Sequence, residues 1–153
     1  MTAMLDPTST LAAARAASPG KGVSSGILYV DDDEMIRSIC GEILLRAGYS
    51  VDLAPDGQAG WEALQRKKYE LLIADHNMPR LTGLELAVCV RGAGMELPII
   101  IASGFASFAA DDAYSWLRLA LILRKPFSPD QLLQTVGTVL CAAPLASVYK
   151  AGE

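Results

Sequence analysis

Histidine occurs once in the 153 residues and cysteine three times, at Cys40, Cys89 and Cys141. The cysteines are far apart and lack the spacing that holds zinc or an iron–sulfur cluster, which excludes a soft-ligand metal centre. Each thiol falls within a helical apolar pattern, so buried thiols in a reducing compartment are expected. No apolar run approaches membrane-spanning length. The N-terminus carries Asp6 and Arg15 without an apolar core segment, unlike a secretory signal, and a cytoplasmic location is the expectation. Positive charge is scarce as well, with 13 Lys and Arg against 17 Asp and Glu and a net charge of −4. That balance excludes a nucleic-acid surface. The densest basic spot, Arg66-Lys67-Lys68, reads as the C-terminal end of a helix, where cations are favoured.

What remains is 52% apolar and 20% charged, a globular composition on a chain long enough for one domain with a real core. Residues 1–25 are rich in Ala, Ser, Thr, Pro and Gly and read as a flexible leader, with at most a marginal helix from Ser9 to Ala17. The domain proper is expected at 26–141, followed by a patternless tail at 142–153. Within it, Leu71-Leu72-Ile73-Ala74 runs without polar alternation into Asp75, as a strand buried on both faces does. Ile27-Leu28-Tyr29-Val30 runs likewise into Asp31-Asp32-Asp33-Glu34, Pro98 to Ala102 into Ser103-Gly104, and Leu119 to Leu123 into Arg124-Lys125-Pro126-Phe127. Tyr49, Val51 and Leu53 alternate with polar residues and belong at a sheet edge.

Helical periods separate these strands. Ile36, Ile39, Cys40, Ile43, Leu44 and Ala47 form the first stripe, stopped by Gly48, and Asp56-Gly57 opens a second helix with Trp61, Ala63 and Leu64 inward. Thr82-x-x-Glu85 is a capping box for a third helix running to about Gly92–Gly94, and a weaker helix covers about Ser107 to Leu117. Ser128-Pro129-Asp130-Gln131 caps the last one. Five rounds of strand then helix predict an α/β fold: a three-layer, doubly wound, five-stranded parallel sheet with helices on both faces.

In a parallel sheet every carboxyl end lies along one rim. Asp31, Asp32, Asp75, Ser103 and Lys125 can therefore converge although 43, 28 and 22 positions separate the last four. Carboxylates ~4 Å apart repel by about 4 kcal/mol per pair at an effective dielectric of ~20. A hard divalent cation relieves that, and oxygen ligands alone point to Mg²⁺, with Mn²⁺ as a substitute. A carboxylate with a metal, a hydroxyl and an ammonium in reach is equipped for phosphoryl transfer: Asp75 attacks phosphorus while Ser103 and Lys125 balance charge on its oxygens.

These residues resemble the receiver domain of two-component response regulators, from Gly26 to Leu140. The resemblance rests on the ordered set D-D, D-x-N-M-P-x-x-x-G, S-G and K-P-F, each behind a buried strand. It implies a flavodoxin-like sheet in order 2-1-3-4-5, Mg²⁺ on Asp31 and Asp32, phosphoacceptor Asp75, and the backbone carbonyl of Asn77 as a further ligand. It also implies a cis Lys125-Pro126 bond, a histidine kinase or phosphotransfer protein as donor, and Asn77 and Phe105 as residues that set the phosphate lifetime. With few residues beyond Leu140, a stand-alone receiver is expected, acting through protein contacts or onward phosphotransfer, a signalling protein rather than an enzyme. One departure is Ile122, where many receivers carry a Tyr or Phe that moves on activation, and the loop Gly104-Phe105-Ala106 is the other route for the signal.

Two rival functions remain. A haloacid-dehalogenase-type phosphatase would use Asp31 in Asp31-x-Asp33, but it needs an acidic motif after the lysine, where only Asp130 and Glu153 remain. A binding module that is never phosphorylated would not need the full set. Among neighbouring residues, Asp33 reads as a helix N-terminal acid, His76 as a gate or surface residue, and Met78 as loop packing. Phe108, Tyr114 and Trp116 read as core or as a partner surface.

Overall fold

A computed structural model describes residues 26–104 and 112–141. Its five strands are β1 (Gly26–Val30), β2 (Val51–Ala54), β3 (Tyr69–Asp75), β4 (Ile99–Ser103) and β5 (Leu121–Arg124). They form one parallel sheet in the order β2-β1-β3-β4-β5, the expected topology with β2 at an edge. Among the described residues the α-helices are α1 (Glu34–Arg46), α2 (Gly57–Arg66), α3 (Gly83–Gly92) and α4 (Pro129–Cys141), and a 3-10 segment spans Asp112–Leu117. Among the described residues no helix is long and apolar enough to cross a membrane. The leader, the tail, Phe105 and Phe108 lie outside the described residues.

The period of two along each strand builds three layers. Leu28, Val30, Leu72, Ala74, Ile99 and Ile101 face one cluster with Leu64, Leu84, Leu86, Ala87 and Val90 from α2 and α3. Ile27, Tyr29, Leu71, Ile73, Ile100 and Ala102 face the other, with Cys40 and Leu44 from α1 and Leu132, Val136 and Val139 from α4. Both faces of the inner strands are apolar because both are covered.

The caps form where the sequence puts them. Thr82 and Glu85 close the reciprocal box of α3, and Ser128 and Gln131 do so for α4 at 3.1 and 2.8 Å. Asp56 accepts from Ala59 N–H at the start of α2, and Gly48 leaves α1 at φ 101°.

Three expectations need correction. Ile39 is 52% exposed, because the α1 stripe that meets the sheet is centred on Cys40 and Leu44. Cys40 alone is a buried thiol; Cys89 is half-buried and Cys141 exposed at the end of α4. β5 begins at Leu121 rather than Leu119, since Arg118 turns the chain at φ 50°. The Arg91 guanidinium, from the end of α3, holds the carbonyls of Leu117, Arg118, Met95 and Leu97 at 2.7–3.3 Å. Burial and the nearby Arg118 charge bring its pKa down to about 10.

At the β2 edge, the Tyr69 hydroxyl and Lys67 ammonium donate to Asp52 at 2.6 and 2.9 Å. These bonds, the phenol's first, hold the Asp52 carboxyl below its usual pKa. A depressed carboxyl stabilises the fold above its unfolded pKa of about 3.9 and loses that contribution as pH falls through the folded value. Because the pair is about half exposed, the contribution is below ~1 kcal/mol. Asp52→Asn should therefore lower the urea midpoint slightly at neutral pH, and the gap should close in acid. A gap that persists at the acid end would assign the loss to something other than this charge.

Candidate phosphoacceptor site

Parallel register brings the strand ends together. Val30 pairs with Ala74, Asp75 with Ala102 and Ser103 with Arg124, so Asp31, Asp75, Ser103 and Lys125 stand along one rim. Asp31, Asp75 and Ser103 are buried, while Asp32 is exposed. One carboxylate oxygen each from Asp31, Asp32 and Asp75 lies within 4.8 Å of the others. Lys125 Nζ donates to Asp75 Oδ1 at 2.6 Å and stands 4.0 Å from Asp31 Oδ2. The Lys125 N–H bonds the Ser103 carbonyl at 2.9 Å, which seats the lysine beside that serine, and the Lys125-Pro126 bond is cis as expected.

The loop after β3 is held from below. His76 N–H bonds the Ala102 carbonyl at 2.9 Å, and Gly83 N–H bonds the His76 carbonyl at 3.1 Å. Asn77 sits exposed just beyond, and His76 is half-buried beside Asp75. Met78 is buried in the α2–α3 cluster, the packing role read for it. Asp33 caps α1 by accepting from Ile36 N–H at 3.1 Å, as a helix N-terminal acid does. Ile122 packs, partly buried, against the α2–α3 cluster. Trp116 is 50% exposed on the 3-10 segment, so it is not a core residue.

Burial pushes the Asp31 carboxyl up, and the Asp75 charge adds to that, against the bond Asp31 Oδ1 accepts from Asp33 N–H at 2.9 Å. Burial likewise raises Asp75, opposed by the Lys125 bond. Burial works against the Lys125 ammonium, but Asp75, Asp31 and Asp32 outweigh it and hold its pKa up. Behind the site, burial raises the Tyr29 phenol and the Cys40 thiol.

The donor set fits a hard cation. Asp31 Oδ2 is buried with no hydrogen-bond partner, and the cluster offers three carboxylates against one ammonium. An oxygen-only cluster of this kind could bind a metal ion.

The sequence family described as the response regulator receiver domain matches residues 27–137. The chain belongs to that family. Among curated relatives of this receiver, the transcriptional regulatory protein RprY of Bacteroides fragilis is 35% identical over 134 residues, 83% of this chain and 56% of that protein. The chain thus spans about half the length of the first curated relatives it matches. The response regulator receiver protein CpdR of Brucella abortus is 33% identical over 76% of this chain and 98% of its own. Among solved structures, the response regulator protein TrrA of Thermotoga maritima, in complex with Mg(2+)-BeF, is 31% identical with a TM-score of 0.68, covering 76% of this chain and 100% of that one.

Two further residues shape the receiver pocket. Gly83, the glycine that ends the D-x-N-M-P-x-x-x-G run, lies against the Asp75 backbone, and Arg37 donates to the Asp31 carbonyl at 2.7 Å. Arg37 escaped the reading of strand ends. It has no signal beyond an arginine one turn into α1.

Proposed function

We propose that this receiver takes a phosphoryl group from a histidine kinase or histidine phosphotransfer protein onto Asp75. Asp31, Asp32, Asp75 and the Asn77 backbone carbonyl would hold Mg²⁺, or Mn²⁺ in its place. When bound, such a cation offsets the crowded carboxylates and the charge of the entering phosphoryl oxygens. Asp75 attacks phosphorus in line; its new P–O bond replaces the donor's P–N bond, and the imidazole leaves with the electron pair and takes up a proton. Lys125 orients the acceptor carboxylate through Oδ1 and balances charge on the phosphoryl group, and the Ser103 hydroxyl donates to a phosphoryl oxygen. The observation that carries this reading is the 2.6 Å bond from Lys125 to a buried Asp75 that shares its pocket with two further acids.

The signal leaves by protein contacts or onward phosphotransfer, in the cytoplasm and without nucleic-acid contact by this domain. The self-catalysed gain and loss of the aspartyl phosphate is its only chemistry. Asn77 and Phe105 set the lifetime of that phosphate. Ile122 favours one alternative, a receiver-fold binding module that works without phosphate.

The test is incubation with a small acyl phosphate and Mg²⁺, read by intact mass. Wild type should gain one phosphoryl group, Asp75→Asn none. Label kept by Asp75→Asn and lost by Asp31→Asn would support the phosphatase reading, and an unmodified wild type would support the binding module.

A further inference from the structure

We propose that Arg37 is a positioning residue for the cation of this pocket, acting through the peptide that joins Asp31 to Asp32. The inference rests on the reading above, that these acids hold a divalent metal.

Nearly every polar atom of Asp31 is fixed. Its N–H bonds the Ala54 carbonyl at 3.1 Å, and its Oδ1 accepts from Asp33 N–H at 2.9 Å. Its carbonyl accepts from Arg37 Nη1 at 2.7 Å, and only Oδ2 is left without a hydrogen bond, in the pocket. The carbonyl matters most for the neighbour, because it shares a rigid peptide plane with the nitrogen of Asp32. Asp32 is exposed, and among the described residues its side chain has no hydrogen bond or ion pair of its own. Two side-chain contacts thus hold the peptides on either side of Asp32: Asp31 Oδ1 takes the following N–H, and the Arg37 bond holds the preceding peptide, from which this second carboxylate leaves β1.

The choice of acceptor supports the assignment. Asp31 to Glu34 are four consecutive acids, and Arg37 is the first cation after them. Yet among the described residues it forms no ion pair; its guanidinium takes the neutral carbonyl and leaves the carboxylates open. A plain surface arginine here would be expected on a carboxylate, where charge assists the bond.

Two effects oppose each other when Arg37 is removed. The positive charge disfavours a bound cation, but for a partly exposed group in ordinary salt that is worth no more than about threefold. Loss of a partner that orients a ligating carboxylate typically costs 10–100-fold in metal affinity. Orientation therefore wins, and the net change is a loss.

The test is titration calorimetry of the full chain with Mg²⁺ alone and with Mn²⁺ alone, alongside melting in EDTA. Arg37→Met should weaken both metals about tenfold. Arg37→Lys, which keeps the charge and one donor, should recover most of that. Melting in EDTA separates this from damage to α1: the affinity loss should stand at a temperature where the variant is fully folded. Equal or tighter binding by Arg37→Met, or no recovery by Arg37→Lys, would overturn the inference and leave the phosphoacceptor reading intact. A wild type that binds neither metal would overturn both.

Discussion

In EDTA, Asp31→Asn should be more stable than wild type by about 1–2 kcal/mol, and saturating Mg²⁺ should reverse that order. Asp31 is fully buried, and burial sets its carboxyl above the usual range. Its charged form is therefore disfavoured in the folded protein. Repulsion from carboxylates within 4.8 Å amounts to roughly 3 kcal/mol per pair at an effective dielectric of ~20, while Lys125, 4.0 Å from Oδ2, offsets part of it. Asparagine keeps the oxygen that accepts from Asp33 N–H, removes the charge, and leaves the ion pair of Asp75 with Lys125 in place. A ligand that binds only the folded state stabilises it by about 2.7 kcal/mol at a hundred times its dissociation constant. Wild type should gain on that scale with Mg²⁺, and the variant little. Urea unfolding in EDTA and in Mg²⁺ reads both differences. An Asp31→Asn protein weaker than wild type in EDTA, or one that gains as much from Mg²⁺, would show that the acids are not crowded around a cation site.

The sheet, its order and the rim were legible because local signals agree with the global fold. The stretches covered on both faces, residues 27–30, 71–74 and 99–102, carry no charged residue until they reach the rim, so Asp31, Asp75 and Ser103 mark their own positions. The caps at Asp56, Thr82 and Ser128 announce helix starts for the same reason, a backbone donor that needs a partner. Less legible was what depends on a distant segment. The Arg91 contacts that delay β5 join the end of α3 to carbonyls up to 27 residues away. The exposure of Ile39 depends on which side of α1 meets the sheet, and an apolar residue at the boundary of a stripe fits either side. Arg37 was silent because its partner is a main-chain carbonyl, which every residue has.

Within α3, two glycines should respond to alanine in opposite directions. Alanine ordinarily favours a helix over glycine by up to about 1 kcal/mol. At Gly92, the last residue of α3, where a Cβ would meet nothing within 4 Å, Gly92→Ala should add a few tenths up to about 1 kcal/mol. At Gly83 a Cβ would stand 2.6 Å from the Asp75 carbonyl oxygen and 3.1 Å from both the Asp75 carbonyl carbon and His76 Cα. These are backbone atoms at the end of a buried strand and cannot swing aside as a flexible side chain would. Steric overlap outweighs propensity, and Gly83→Ala should lose roughly 2–4 kcal/mol. The displaced atoms belong to Asp75, the proposed acceptor, and to His76 beside it, and the Asp75 carboxylate is held by Lys125 at 2.6 Å, so the site should suffer with the fold. A shift of ~1 Å at a reacting group can cost a hundredfold in rate. Phosphoryl uptake from a small acyl phosphate, measured under conditions where the variant remains fully folded, should fall by at least tenfold in Gly83→Ala and stay at the wild-type level in Gly92→Ala. If Gly83→Ala proved as stable as Gly92→Ala, or unstable yet phosphorylated at the wild-type rate, the close seat of α3 against Asp75 would not be what places the acceptor.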